Sequence, residues 1–217
     1  MLNISSAKRI INEGLYNRLG IGEIKCFKSK NEFTLIEKEN DKIFYLMYVK
    51  WGAFISISPY GYIRNKVIEK KYGDILGEDW SGNWTVGGNV GEIDSDIDGV
   101  QQARKFYHID IETEADCLKA IDLLVSYYNR CIPFFEKYSE ITMLNRLVNE
   151  SSADQIPVLV CGTLADKCMK GLIISGILGG KGLHSLVNSY DSVIQSLNDK
   201  NTTKRYLKVR KAIVGSI

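Results

Sequence analysis

Histidine is nearly absent from this 217-residue chain, which has only His108 and His184, and proline is scarce, with Pro59, Pro133 and Pro157. Two imidazoles give little material for a metal centre built on histidine or for a Ser/His/Asp arrangement. Three scattered prolines exclude long Pro-rich linkers. The five cysteines, Cys26, Cys117, Cys131, Cys161 and Cys168, never fall at CxxC spacing. Odd in number and set mostly among apolar residues, they are expected as reduced, buried thiols. Long hydrophobic runs are missing too. Phe44 to Val49 and Gly171 to Leu178 are too short to cross a bilayer, and the opening MLNISSAKRIINEG has no apolar stretch of secretory length. The protein is therefore expected in the cytoplasm, without a membrane partner.

A further absence is local. From Tyr72 to Ala103 there is no lysine or arginine, while Asp74, Glu78, Asp79, Glu92, Asp94, Asp96 and Asp98 all fall there. The formal net charge of +2 hides this, because residues 1–150 carry 19 Lys+Arg against 22 Asp+Glu and residues 151–217 carry 9 against 4. Charge of one sign held over so long a block reads as a solvated surface or as an interaction surface.

What is present is ordinary for a globular chain: 45% hydrophobic and 25% charged residues, enough to build a real core. Ile4, Ala7, Ile11 and Leu15 form one stripe at three- and four-residue spacing, so a helix is expected from Asn3 to Leu19. Segments rich in β-branched and aromatic residues follow at Glu23 to Lys28, Glu32 to Glu37, Lys42 to Lys50 and Ala53 to Ser58, and they read as an antiparallel meander. A short helix is expected around Asn65 to Leu76, an irregular strand at Trp84 to Val90 and a last strand at Lys105 to Ile111. Thr113 and Asp116 resemble a capping box, and Cys117, Ile121, Leu124, Tyr128 and Ile132 mark a long helix ending near Pro133. A shorter helix at Thr142 to Val148 precedes the polar patch NESSADQ. Beyond it, two apolar helices joined by GGKG and a basic terminal helix complete the chain. The fold class is α+β, a mostly antiparallel sheet of four to six strands covered by helices, with a C-terminal helical hairpin plus a terminal helix. The expected domains are 1–150, α+β, and 151–217, a helical appendage packed on the first.

Motifs with chemical meaning are few. DSDIDG matches the front of a calcium loop, with Asp94, Asp96, Asp98 and Gly99, but the closing position is Lys105 where a bidentate glutamate belongs. An exposed acidic loop is the plainer reading, weak metal binding the other. SGILGGKGLHS fails as a phosphate loop: the first glycine position is Ser175, and Gly182 follows Lys181 where Ser or Thr should stand, so a helix–helix turn is expected. Arg104 and His108 form only a loose RxxxH pair. The C-terminal TTKRYLKVRKAI carries Lys204, Arg205, Lys208, Arg210 and Lys211, a solvated basic face or a contact for nucleic acid. No catalytic set, no cofactor and no metal site is expected. The acidic block gains from Trp80 and Trp84, aromatics that can anchor a partner while carboxylates steer it.

The order of elements, with FTLIEKENDKIFYLMYVKWGAFISISP, EDWSGNWTV and a long helix ending in IPFFEKYSEITML, resembles a family of uncharacterised small bacterial α+β domains, some of them toxin-immunity proteins, over residues 3–149. The resemblance implies no active site. Together these features lead to the expectation of a non-enzymatic, immunity-type binding protein. It would neutralise a basic effector or nuclease toxin through Trp80, Trp84, Glu92, Asp94, Asp96 and Asp98. The alternatives are a nucleic-acid-associated protein or nuclease using the basic C-terminal helix, with nucleic acid ranked below a basic protein, and a structural subunit of a homo-oligomer.

Overall fold

The computed structural model describes residues 2–19, 23–97, 106–153 and 156–215. It is α+β, as the patterning predicts, and by contacts it divides into two compact units: Met1–Ile63 with Gly87–Glu136, and Arg64–Val86 with Lys137–Ile217. This division and the expected one at residue 150 do not coincide. Residues 64–86 group with the C-terminal helices.

In the first unit, helix α1 (Ile4–Arg18) is capped by Asn3, whose side chain accepts from the Ser6 N–H. Strands β1 (Ile24–Phe27), β2 (Glu32–Ile36), β3 (Asn40–Trp51) and β4 (Phe54–Asn65) follow. The sheet order is β1-β2-β3-β4-β5, where β5 is Val86–Asn89, and β6 (Ile109–Ile111) pairs with β4. β1 and β2, β2 and β3, and β4 and β6 are antiparallel, with Phe33 opposite Phe44 and Ile57 opposite Ile109. Alternation sets the two faces of the sheet. On one face Phe44 meets Tyr128 edge-on, and Tyr48 donates to Asn12 of α1 at 3.5 Å. The backbone at Gly61 lies so close to Cys131 and Ile93 that an added Cβ would sit 2.9 and 2.8 Å from them. That face is covered by α1 and by α4 (Glu114–Ser139).

α4 corrects one expectation, since it runs through Pro133 for 26 residues. A proline inside a helix costs about 3 kcal/mol. Phe134, Phe135 and Tyr138 beyond it are all at most 3% exposed, and burying each contributes roughly 1.5–3 kcal/mol. Burial outweighs the proline.

In the second unit, α2 (Lys66–Leu76), α5 (Ile141–Asn149), α7 (Leu183–Ser196) and α8 (Lys200–Val214) pack on α6 (Leu164–Ile177). α6 is buried continuously from Ala165 to Ser175 apart from Asp166, the pattern of a helix enclosed on all sides. Thr163 and Asp166 form its capping box. Gly171 lets the Asn149 amide and the Tyr190 hydroxyl approach, since a Cβ there would lie 2.5 Å from both. The GGKG turn uses Gly179, Gly180 and Gly182 at φ +86, +71 and +78, a region that glycine enters without penalty. All five cysteines are free thiols. Among the described residues no helix is long and apolar enough to cross a membrane.

Candidate binding surfaces

The front of the DSDIDG segment is not a loop where it is described. Val90–Ile97 is a helix, α3, and Asn89 makes it one. The Asn89 Oδ1 accepts from the Gly91 and Tyr107 N–H groups, while its Nδ2 donates to the Pro59 and Tyr107 carbonyls. The Asn89 N–H in turn donates to Glu92 Oε2 at 3.0 Å. Asn followed three residues later by Glu is the reciprocal cap of a helix start, a spacing present in the sequence at the end of the expected Trp84 to Val90 strand.

A helix redistributes the carboxylates. Residues four apart share a face and residues two apart do not, so Glu92 and Asp96 go together and Asp94 points elsewhere. Asp94 Oδ2 meets Arg130 Nη1 at 2.7 Å, and the Arg130 guanidinium lies 5.9 Å from the centre of the Tyr107 ring. Arg130 thus neutralises Asp94 within the chain. Asp98, with Gly99, Arg104 and Lys105, lies outside the described residues. Trp80 and Trp84 belong to the second unit and Glu92, Asp94 and Asp96 to the first. Among the described residues no group of three His, Cys, Asp or Glu side chains could hold a metal ion.

The first unit carries a cluster of aromatic side chains on one face of its sheet. Tyr60 and Tyr62 alternate along β4 and stack with ring centres 5.8 Å apart and planes 4° from parallel. Tyr45 of β3 lies 6.1 and 6.5 Å from them, and Phe106, 52% exposed, sets its ring edge-on to Tyr60 at 6.1 Å. The three tyrosines are half-buried on the sheet face opposite α1 and α4. Burial first, and then the nearby charges of Glu92 and Tyr45, raise the Tyr60 pKa above its ordinary value. The Glu92 charge thus acts on Tyr60 from nearby.

The second unit holds a polar network beside a cavity of about 300 Å³ lined by Tyr72, Glu78, Trp84, Asp166, Lys170 and Arg205, among others. Glu69 and Lys170 form an ion pair at 2.8 Å, their side chains 0% and 5% exposed. The Lys170 ammonium also donates to the Trp84 carbonyl at 2.7 Å and the Cys161 carbonyl at 3.3 Å. Glu69 Oε1 accepts from the Thr85 hydroxyl, which accepts from the Asn65 N–H. These bonds tie residues 84–86 to the Val160–Cys161 strand bridge. At the cavity, the Tyr72 hydroxyl donates to Asp166 at 2.6 Å, and Arg205 bonds the Tyr72 oxygen, Glu78 and Asp166.

Protonation states follow from this. Burial, then the bond to Asp166, pushes the Tyr72 pKa well above its usual value, so it is a neutral donor at neutral pH. Burial would raise Asp166, but bonds from Tyr72 and Thr163 outweigh it and hold the carboxyl low. Burial pushes the Cys161 thiol up to about 12, far from the thiolate that attacks.

Comparison with family models, with curated proteins and with solved structures gives no match for this chain.

Proposed function

We propose that the chain is an immunity-type binding protein of the cytoplasm that takes a cationic segment of a protein partner on the aromatic face of its first unit. The observation that carries this reading is Tyr60, stacked on Tyr62 and edged by the exposed Phe106, with the Glu92 charge acting on it from nearby. Aromatic faces attract Arg and Lys by roughly 0.5–2 kcal/mol each, and a carboxylate beside them completes a site for a cationic side chain. Bases could stack on the same rings, but Glu92 repels the phosphates they carry. Trp80 and Trp84 leave the proposed contact, and Glu92 stays as its charged member. Asp94 serves the internal pair with Arg130.

The test is a calorimetric titration of the chain with an arginine-rich peptide and with an acidic peptide of equal length. Preference for the basic peptide, weakened about 5- to 30-fold by Tyr60→Ala, supports the reading, as roughly 1–2 kcal/mol of lost anchor predicts. Equal affinity of both forms for both peptides refutes it. A basic toxin domain in the neighbouring reading frame, with this chain protecting cells that express it, would establish the immunity role.

A further inference from the structure

We infer that the row Lys200, Lys204, Lys208 and Lys211 of α8 is a docking strip for the phosphate backbone of a nucleic-acid double helix. The helix carries six cations, and the fold sorts them. Arg205 is committed to Glu78 and Asp166, and Arg210 to Asp191 at 3.4 Å. The four lysines are exposed, and no carboxylate pairs with them among the described residues. At about 100° per residue they fall within an arc of about 80°, and the row runs about 16 Å along the helix axis. The Asp199 carboxylate at that end is the N-cap and accepts from the Asn201 and Thr202 N–H groups. A shallow trough of about 670 Å³ follows the row, lined by the four lysines, Leu207 and Thr203 and, at its α7 end, by Gln195, Asn198 and the Asp199 carboxylate.

The occupant follows from what the strip lacks. Single strands are held by bases stacking on aromatic platforms, and Tyr206, the aromatic of α8, is 1% exposed. A membrane-surface helix lays its apolar side into the lipid, but that side of α8, with Tyr206, Val209 and Ile213, is buried in the second unit. Leu207 alone stays out on the strip. A straight row of flexible point charges suits sequence-independent contact with duplex phosphates. The strip lies in the second unit and does not depend on the aromatic face of the first.

Fluorescence anisotropy of the full chain with two labelled duplexes of unrelated sequence tests this. Four phosphate contacts predict log K falling against log salt with a slope of about −3.6, a loss of about 150-fold between 50 and 200 mM. Each single Lys→Gln change should reduce the slope by about 0.9, and the fourfold variant, its helix content checked by circular dichroism, should not bind. Similar affinity for the two duplexes with these slopes supports the inference. It is overturned if the fourfold variant binds as the parent does, if a single-stranded oligonucleotide binds as tightly, or if vesicles of anionic lipid compete the duplex away.

Discussion

Replacing Lys170 by methionine keeps most of the unbranched stem inside α6 and removes the ammonium alone. In the folded chain that group meets Glu69 at 2.8 Å, the Trp84 carbonyl at 2.7 Å and the Cys161 carbonyl at 3.3 Å, at 5% exposure. Its loss leaves a fully buried carboxylate without its counter-charge, and the Glu69 Oε2 already has no hydrogen-bond partner. Breaking a buried pair from one side costs about 3–5 kcal/mol, a large share of the 5–15 kcal/mol of a typical domain. Removing both charges in Glu69→Gln/Lys170→Met should cost much less, because no unpaired charge is left behind. Urea unfolding gives the loss, and hydrogen exchange places it in residues 64–86 and 137–217. A single variant within about 1 kcal/mol of the parent, or a double variant worse than the single, would refute the reasoning.

Other outcomes follow from the same contacts. Asn89→Ala strips four bonds from the start of α3 and should lower stability by about 2 kcal/mol or more, with amide exchange accelerated at Gly91 and Tyr107. Asp166 has a depressed pKa when folded, so its contribution is present above the unfolded carboxyl value, about 3.9, and is lost as pH falls through the folded one. Asp166→Asn should therefore be less stable at pH 7 and show a shallower acid decline, read from thermal unfolding at pH 2–7. Cys161 and Cys168, each pushed up to about 12 by burial, should resist iodoacetamide at pH 8 in the folded chain and react on unfolding, followed residue by residue by mass spectrometry.

The periodic signals were legible. Ile4, Ala7, Ile11 and Leu15 announce α1, and the β-branched segments announce the meander, because burial on one side of an element imposes its period on the sequence. The start of α3 was legible but misread, since glycines and aspartates suggested turns while Asn89 and Glu92 spelled a cap. Pro133 misled for a different reason: local preference favours ending α4 there, and the burial of Phe134, Phe135 and Tyr138 overrides it. The aromatic face shows its parts in the sequence, Tyr60 and Tyr62 at alternate positions, but only strand pairing brings Tyr45 beside them. The Glu69–Lys170 pair spans about a hundred residues and carries no local mark. The lysine row was visible as charge; which cations the fold leaves exposed was not.

The most direct measurement of the central claim is a double-mutant cycle on Tyr60→Ala and Glu92→Gln, read by calorimetry with the arginine-rich peptide. If one cationic side chain is held by ring and carboxylate together, the two changes couple by about 0.5 kcal/mol or more, with salt weakening the parent more than Glu92→Gln. Additive losses with equal salt dependence, or no loss from either change, would contradict it.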